Sequence, residues 1–182
     1  MPADPVAPVG AAGTPEEVLE APPPPTASEG VHPFAISPEE GLPAIPQDQL
    51  LKKLEKLASL KAGAVQMYHA YADAVRAPFR DALFEHFEEH AKEERAGLYD
   101  VNMKLVALGG TAVTKSAKVP EAQGVAEILT HVMQQEKQLL KVTRELVLAA
   151  GDYSGLRLLL EESLLKDQRH LDDARRMLVT LP

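Results

Sequence analysis

The stretch Ala91–Gly110, AKEERAGLYDVNMKLVALGG, carries the reading of the whole chain. Its apolar residues recur at three- and four-residue steps, the period of a helix with one buried face, and Gly109-Gly110 stops it. Glu94 falls on that apolar stripe. An ionised carboxylate turned into a helical core is costly unless a metal ion, a proton or a cationic side chain compensates it. Asp167, in LLKDQRHLDD over residues 164–173, repeats the situation.

The same period extends in both directions. Leu50, Leu54, Leu57, Lys61, Val65, Tyr68, Ala72 and Val75 form the stripe of a first helix that begins at Gln47 and breaks before Pro78. The second helix runs from about Phe79 to Leu108, with Phe84, Phe87, Ala91, Glu94, Leu98, Val101 and Leu105 inward. Residues 111–120 lack periodicity and read as a connector. A third helix is expected over about Glu121–Ala150, with Leu129, Val132, Glu136, Leu139, Thr143 and Leu146 on its inner face. Gly151-Asp152 supplies a stop and a candidate cap before a fourth helix, about Ser154–Thr180, whose stripe includes Leu156, Leu160, Ser163, Asp167, His170, Leu171 and Ala174.

Four helices of about 40 Å each predict an all-α four-helix bundle. The short first and third links make two antiparallel hairpins. The middle link stretches about 35–45 Å at full extension, enough for a lengthwise crossover that leaves the second and third helices parallel.

Residues 1–46 read differently. Twelve of the fifteen prolines lie in residues 1–49, which hold eight acidic side chains and no Lys or Arg. This predicts a Pro-rich, acidic, extended or disordered arm, with the bundle over 47–180. Within the arm, residues 31–36 (VHPFAI) form an apolar patch, and Phe34 and Ile36 are candidates for docking on the body, a neighbouring subunit or another protein. With a net charge of −8 and eight of 27 acids in residues 1–49, residues 50–182 carry 19 acids against 19 bases. A neutral body with an acidic arm argues against nucleic acid. No apolar run approaches the roughly 18 residues of a membrane span, and no basic-then-apolar leader opens the chain, so a cytoplasmic location is expected. The absence of cysteine rules out thiolate ligands and cysteine nucleophiles. The motifs of common hydrolases and phosphate-binding loops are also missing.

Four ionisable residues therefore stand on inward stripes at mid-helix: Lys61, Glu94, Glu136 and Asp167. His170 follows Asp167 at i+3, and His90 precedes Glu94 at i−4, so each shares a face with its acid. Two carboxylate-bearing hairpins facing each other make the arrangement in which bundles hold iron or manganese. Each residue also has a plainer reading. Lys61 either replaces a metal with a fixed ammonium or snorkels outward. Glu94 and Asp167 can be surface acids in an open groove, and His170 can be a core histidine bonded to a carboxylate. His90, among Glu89, Lys92 and Glu93, reads as solvent-facing. Gln134 competes with Glu136 for the inward place, though it shares a face with Thr130, Lys137 and Lys141. Tyr68 and Tyr71 stand near the depth of the acids as packing residues, carboxylate partners or electron relays. His69, His86 and His131 attract no chemistry.

On these residues the chain resembles the ferritin-like superfamily, particularly bacterioferritin and rubrerythrin-like bundles, over residues 47–180. In that superfamily the second helix carries Glu-x-x-His before an apolar stretch ending in Leu-Gly; Glu94 with Leu108-Gly109-Gly110 fits the frame. The fourth-helix Glu-x-x-His is matched by Asp167-x-x-His170, and the inward Glu of the third helix by Glu136. Two positions depart. Gly97 stands where the second-helix His belongs, and the first-helix Glu frame lands on Lys61. The resemblance implies iron, as one or two ions, held by Glu94, Glu136, Asp167 and His170, with Lys61, His90 and Tyr68 as accessory or metal-replacing groups. It further implies Fe(II) oxidation or iron handling at a reduced site, most simply a mononuclear one, and side-by-side self-association. A dimer is the expectation, since no fifth helix follows the fourth before Pro182. The competing expectation is a metal-free interaction bundle in which Lys61 replaces the metal and the arm docks to a larger assembly.

Overall fold

A computed structural model of the protein describes residue 36, residues 40–116 and residues 118–181. Phe34 and most of the expected arm lie outside the described residues. Four helices carry the fold: α1 (Gln47–Ala74), α2 (Arg80–Ala107), α3 (Val125–Ala150) and α4 (Ser154–Thr180). Among the described residues no helix is long and apolar enough to cross a membrane.

Side-chain pairings fix the directions. Lys61 meets Glu94 and His69 meets Glu88, so α1 and α2 are antiparallel. Gln135 donates to the Leu60 carbonyl and Lys53 pairs with Glu145, so α1 and α3 are antiparallel as well. Helices α2 and α3 must then be parallel, and the segment between them is the lengthwise crossover. Asn102 anchors that crossover: its amide donates to the Val113 carbonyl and accepts from the Val113 N–H, at 3.0 and 2.8 Å. Further along, Tyr71 donates to the Pro120 carbonyl at 3.0 Å and accepts from His131.

The core follows the inward stripes. Leu50, Leu54, Leu57, Phe87, Leu105, Leu129, Leu139, Leu146, Leu156 and Leu160 are all buried. Each contributes roughly 1.5–3 kcal/mol by leaving water, and that sum is what can support ionisable groups at mid-bundle. Helix α3 begins four residues later than the periodicity suggests. Gly124, extended at φ −177°, precedes it, and the Gln123 N–H is taken by the Glu127 carboxylate rather than by a helical carbonyl. The segment ahead of α1 is tied to the α3–α4 turn, Ala44 N–H donating to the Ala149 carbonyl and Asp152 N–H to the Leu42 carbonyl. Gly41 makes this approach possible: its φ is +83°, and a Cβ there would stand 1.9 Å from the Asp152 carbonyl oxygen. Ile36 packs partly buried against the core.

Candidate metal centre

At mid-height the four helices turn Lys61, Tyr68, Glu94, Glu136, Asp167 and His170 inward, and all six are buried. Gln134 faces solvent. The surface-groove alternative for Glu94 and Asp167 does not hold in the fold: they are 1% and 0% exposed.

Lys61 points into the bundle and does not snorkel. Its Nζ donates to Glu94 Oε2 at 3.0 Å and to Asp167 Oδ1 at 3.1 Å, joining α1, α2 and α4 through one ammonium. Thr143 Oγ1 from α3 donates to the other Asp167 oxygen at 3.3 Å. Gly97 lies against the lysine stem, where a Cβ would stand 3.3 Å from both Lys61 Cε and Nζ and would require the stem to shift by a few tenths of an ångström. The two departures from the superfamily pattern therefore touch each other in the fold. The cleft left beside it, lined by Lys61, Glu94, Gly97 and Ser163, measures about 20 Å³, room for about one water.

On the other side of Glu94 the arrangement differs. Glu94, Glu136 and His170 each present one ligand atom within 4.8 Å of the others. Tyr68 donates to Glu136 Oε1 at 2.7 Å, holding the carboxyl by one oxygen and leaving Oε2 buried without a hydrogen-bond partner. His170 Nε2 lies 2.7 Å from Glu93 Oε2. A carboxylate only accepts, so Nε2 carries the proton, and in the neutral ring the lone pair belongs to Nδ1. That nitrogen stands 3.3 Å from Glu94 Oε1 and 3.8 Å from Glu136 Oε1 without a hydrogen bond to either. Once His170 gives up its Nδ1 proton, this imidazole, the carboxylate behind it and the orphaned oxygen ahead could hold a first-row metal ion.

The protonation states follow from the packing. Burial pulls the Lys61 ammonium down, but Glu94 and Asp167 outweigh it and hold the pKa above the ordinary lysine value. Burial pushes Glu94 up; Lys61 and His170 reverse that and bring it to about 2. For Asp167 burial prevails and the carboxyl sits above its usual range, with Lys61 offsetting part of the shift. Glu136 has no lysine and is driven by burial, and by the charges of Glu94 and Asp167, to about 7. Burial lowers His170, but Glu136 and Glu94 overcome it and raise the imidazole to about 10.

His90 departs from the solvent-facing expectation: it is 5% exposed and packs against His170, ring centroids 3.9 Å apart. Glu89 and Lys92 project outward and Glu93 turns to His170, while His90 stays on the face of Phe87 and Glu94. Burial, then His170 and His86, lower its pKa to about 2 and keep it neutral. His86, which attracted no chemistry in the sequence, stands with its ring 4.0 Å from His90. Its i−4 spacing from His90 was the available signal. Tyr68 serves as a carboxylate partner, whereas Tyr71 lies away from the acids at the crossover.

A parallel-crossover bundle whose hairpins aim carboxylates and an imidazole at one point is a carboxylate-histidine bundle. Residues 51–182 match the family described as Ferritin-like domain, and the chain belongs to that family. Among solved structures it is similar to a ferritin-like, diiron-carboxylate protein from Bacillus anthracis str. Ames, at 25% identity and a TM-score of 0.71 over 72% of this chain and 96% of that one. It is also similar to a dodecameric thioferritin, the bacterioferritin-related protein from Bacteroides fragilis, at 20% identity and a TM-score of 0.69 over 74% of this chain and 87% of that one. No curated protein matches the chain by sequence.

Proposed function

We propose that the bundle binds a single first-row divalent cation, iron in the first instance, on Glu94, Glu136 and His170, with the Lys61 ammonium occupying the place of a second ion. The observation that carries this is the pair of buried, unpartnered atoms Glu136 Oε2 and His170 Nδ1 beside Glu94. The Lys61 ammonium already engages Glu94 Oε2 and Asp167 Oδ1, the carboxylate oxygens a second ion on its side would need. The diiron-carboxylate description of a structural neighbour at 25% identity makes iron the metal of choice. A ferrous ion held there would supply an electron to dioxygen or peroxide. The chain's own part is to hold the ligands ready: Glu93 fixes the imidazole tautomer, Tyr68 orients Glu136, and Lys61 keeps Glu94 ionised.

Anaerobic Fe(II) titration tests the reading. Replacing Glu136 with Gln should remove one tightly bound equivalent and slow aerobic Fe(II) oxidation; equal binding and equal oxidation by the two proteins would overturn it.

A second reading is supported by the two ion pairs of Lys61. With His170 protonated, the site balances its acids without a metal, and the bundle then acts as an interaction scaffold, its arm docking through residues 31–36 onto a partner. Fe(II) binding that is absent at every pH separates this reading from the first. Self-association belongs to both. It is supported by Tyr99, Met103 and Val106, exposed on one face of α2 at i, i+4 and i+7, and by the dodecameric description of a structural neighbour.

A further inference from the structure

Outside the interior cluster, a second group of ligating side chains comes together where α2 and α4 face each other nearer the start of α2. We propose that His86, His90 and Asp173 form a solvent-accessible site for a first-row divalent cation, distinct from the site on Glu94, Glu136 and His170. The two sites share no residue, so this inference does not depend on the function proposed above.

His86 and His90 are i, i+4 on α2, which sets both imidazoles on one helical face, and Asp173 comes from α4 opposite. One ligand atom from each lies within 4.8 Å of the others. The place of His90 in this group is set by its burial and by its spacing from Asp173. His90 is 95% buried, yet its Nδ1 has no hydrogen-bond partner, and its Nε2 stands 3.9 Å from Asp173 Oδ2, beyond hydrogen-bonding reach. Two ligands each about 2.1 Å from one ion are separated by roughly 3–4 Å, so that spacing suits a shared cation better than a direct bond. Arg176 pairs with the other oxygen, Asp173 Oδ1, fixing the carboxylate and leaving Oδ2 for the ion.

His86, Asp173, Arg176, Met177 and Thr180 line an open depression on the surface, so an ion reaches the group directly from water. Two imidazoles and one carboxylate favour zinc, cobalt, iron(II) or nickel over calcium or magnesium, which take oxygen sets. Three protein ligands leave coordination positions for water. The imidazoles of His86, His90 and His170 follow one another at 4.0 and 3.9 Å, so the outer group adjoins the inner one.

Cobalt(II) alone is the probe, followed by its visible absorption and by calorimetry, in full-length protein carrying Glu136→Gln so that the inner site is disabled. One equivalent of Co(II) should still bind with imidazole-ligated d–d bands. Adding His86→Ala should weaken it at least as much as the roughly 10–100-fold loss that follows removal of an outer-shell partner. Asp173→Asn, with unchanged helicity, should do the same and guards against a folding defect in the first variant. No Co(II) binding by Glu136→Gln, or equal affinity in the presence and absence of His86→Ala and Asp173→Asn, overturns the assignment.

Discussion

Lys61 and Gly97 are best understood as a pair. A lysine ammonium and a divalent ion compete for the same carboxylates, and here the ammonium pairs with Glu94 and Asp167 while its stem lies against Gly97. Removing one member of a buried ion network strands the others. Lys61→Met should therefore destabilise the metal-free protein by about 3–5 kcal/mol in urea unfolding, and added divalent metal should recover part of the loss. A change within 1 kcal/mol of wild type would mean that Glu94 and Asp167 take up protons at little cost. Protonation also gives the centre a pH signature. Glu136, raised to about 7, and His170, raised to about 10, hold protons in the folded state that the unfolded chain releases earlier. The His170 contribution is fully present below about 6.5 and disappears as pH rises toward about 10, while that of Glu136 is lost between about 4.5 and 7. Metal-free protein should thus lose thermal stability from pH 6.5 to 9.5, whereas the increment on adding Fe(II) anaerobically should grow, because binding must displace those protons. Melting curves at several pH values check both slopes, and a Tm independent of pH in the metal-free protein would contradict them.

At the scale of helices, periodicity was a sound guide wherever one residue per turn carries the signal. The stripes of α1, α3 and α4 placed Lys61, Glu136, Asp167 and His170 inward, where they are found. It failed at His90 because the reading leaned on its neighbours in sequence. Glu89 and Lys92 sit about 100° and 200° around the helix and say little about the face of His90, whereas Phe87 and Glu94, at i−3 and i+4, share it. The start of α3 was misplaced for a different reason. Residues 121–124 contain nothing that forbids helix outright, yet the crossover runs on to Gly124, which is extended at φ −177°, before α3 starts. Tyr71, tied to the Pro120 carbonyl and to His131, marks that arrival. No local propensity encodes it.

For the whole molecule, the crossover makes α2 and α3 parallel and thereby brings both hairpins' acids to the same height. Among the described residues, Tyr99, Met103 and Val106 stand 64%, 55% and 50% exposed on one face of α2. If that face pairs with a second copy, the full chain should sediment as a dimer or larger assembly, and Met103→Asp should shift it toward monomer without loss of helix content. A wild-type chain that is monomeric at all accessible concentrations rules the pairing out. By itself the sequence determined the four helices, their hairpin order and the inward stripe places of Glu94, Glu136, Asp167 and His170 but not that of His90, since those properties rest on a 3.6-residue period and on local stops. Only the tertiary structure decided that Lys61 enters the core instead of snorkelling, that Gly97 is its seat and that His86 and His90 meet Asp173. A flexible side chain chooses its partner from what faces it across the bundle, and the spacing within one helix does not record what the next helix presents.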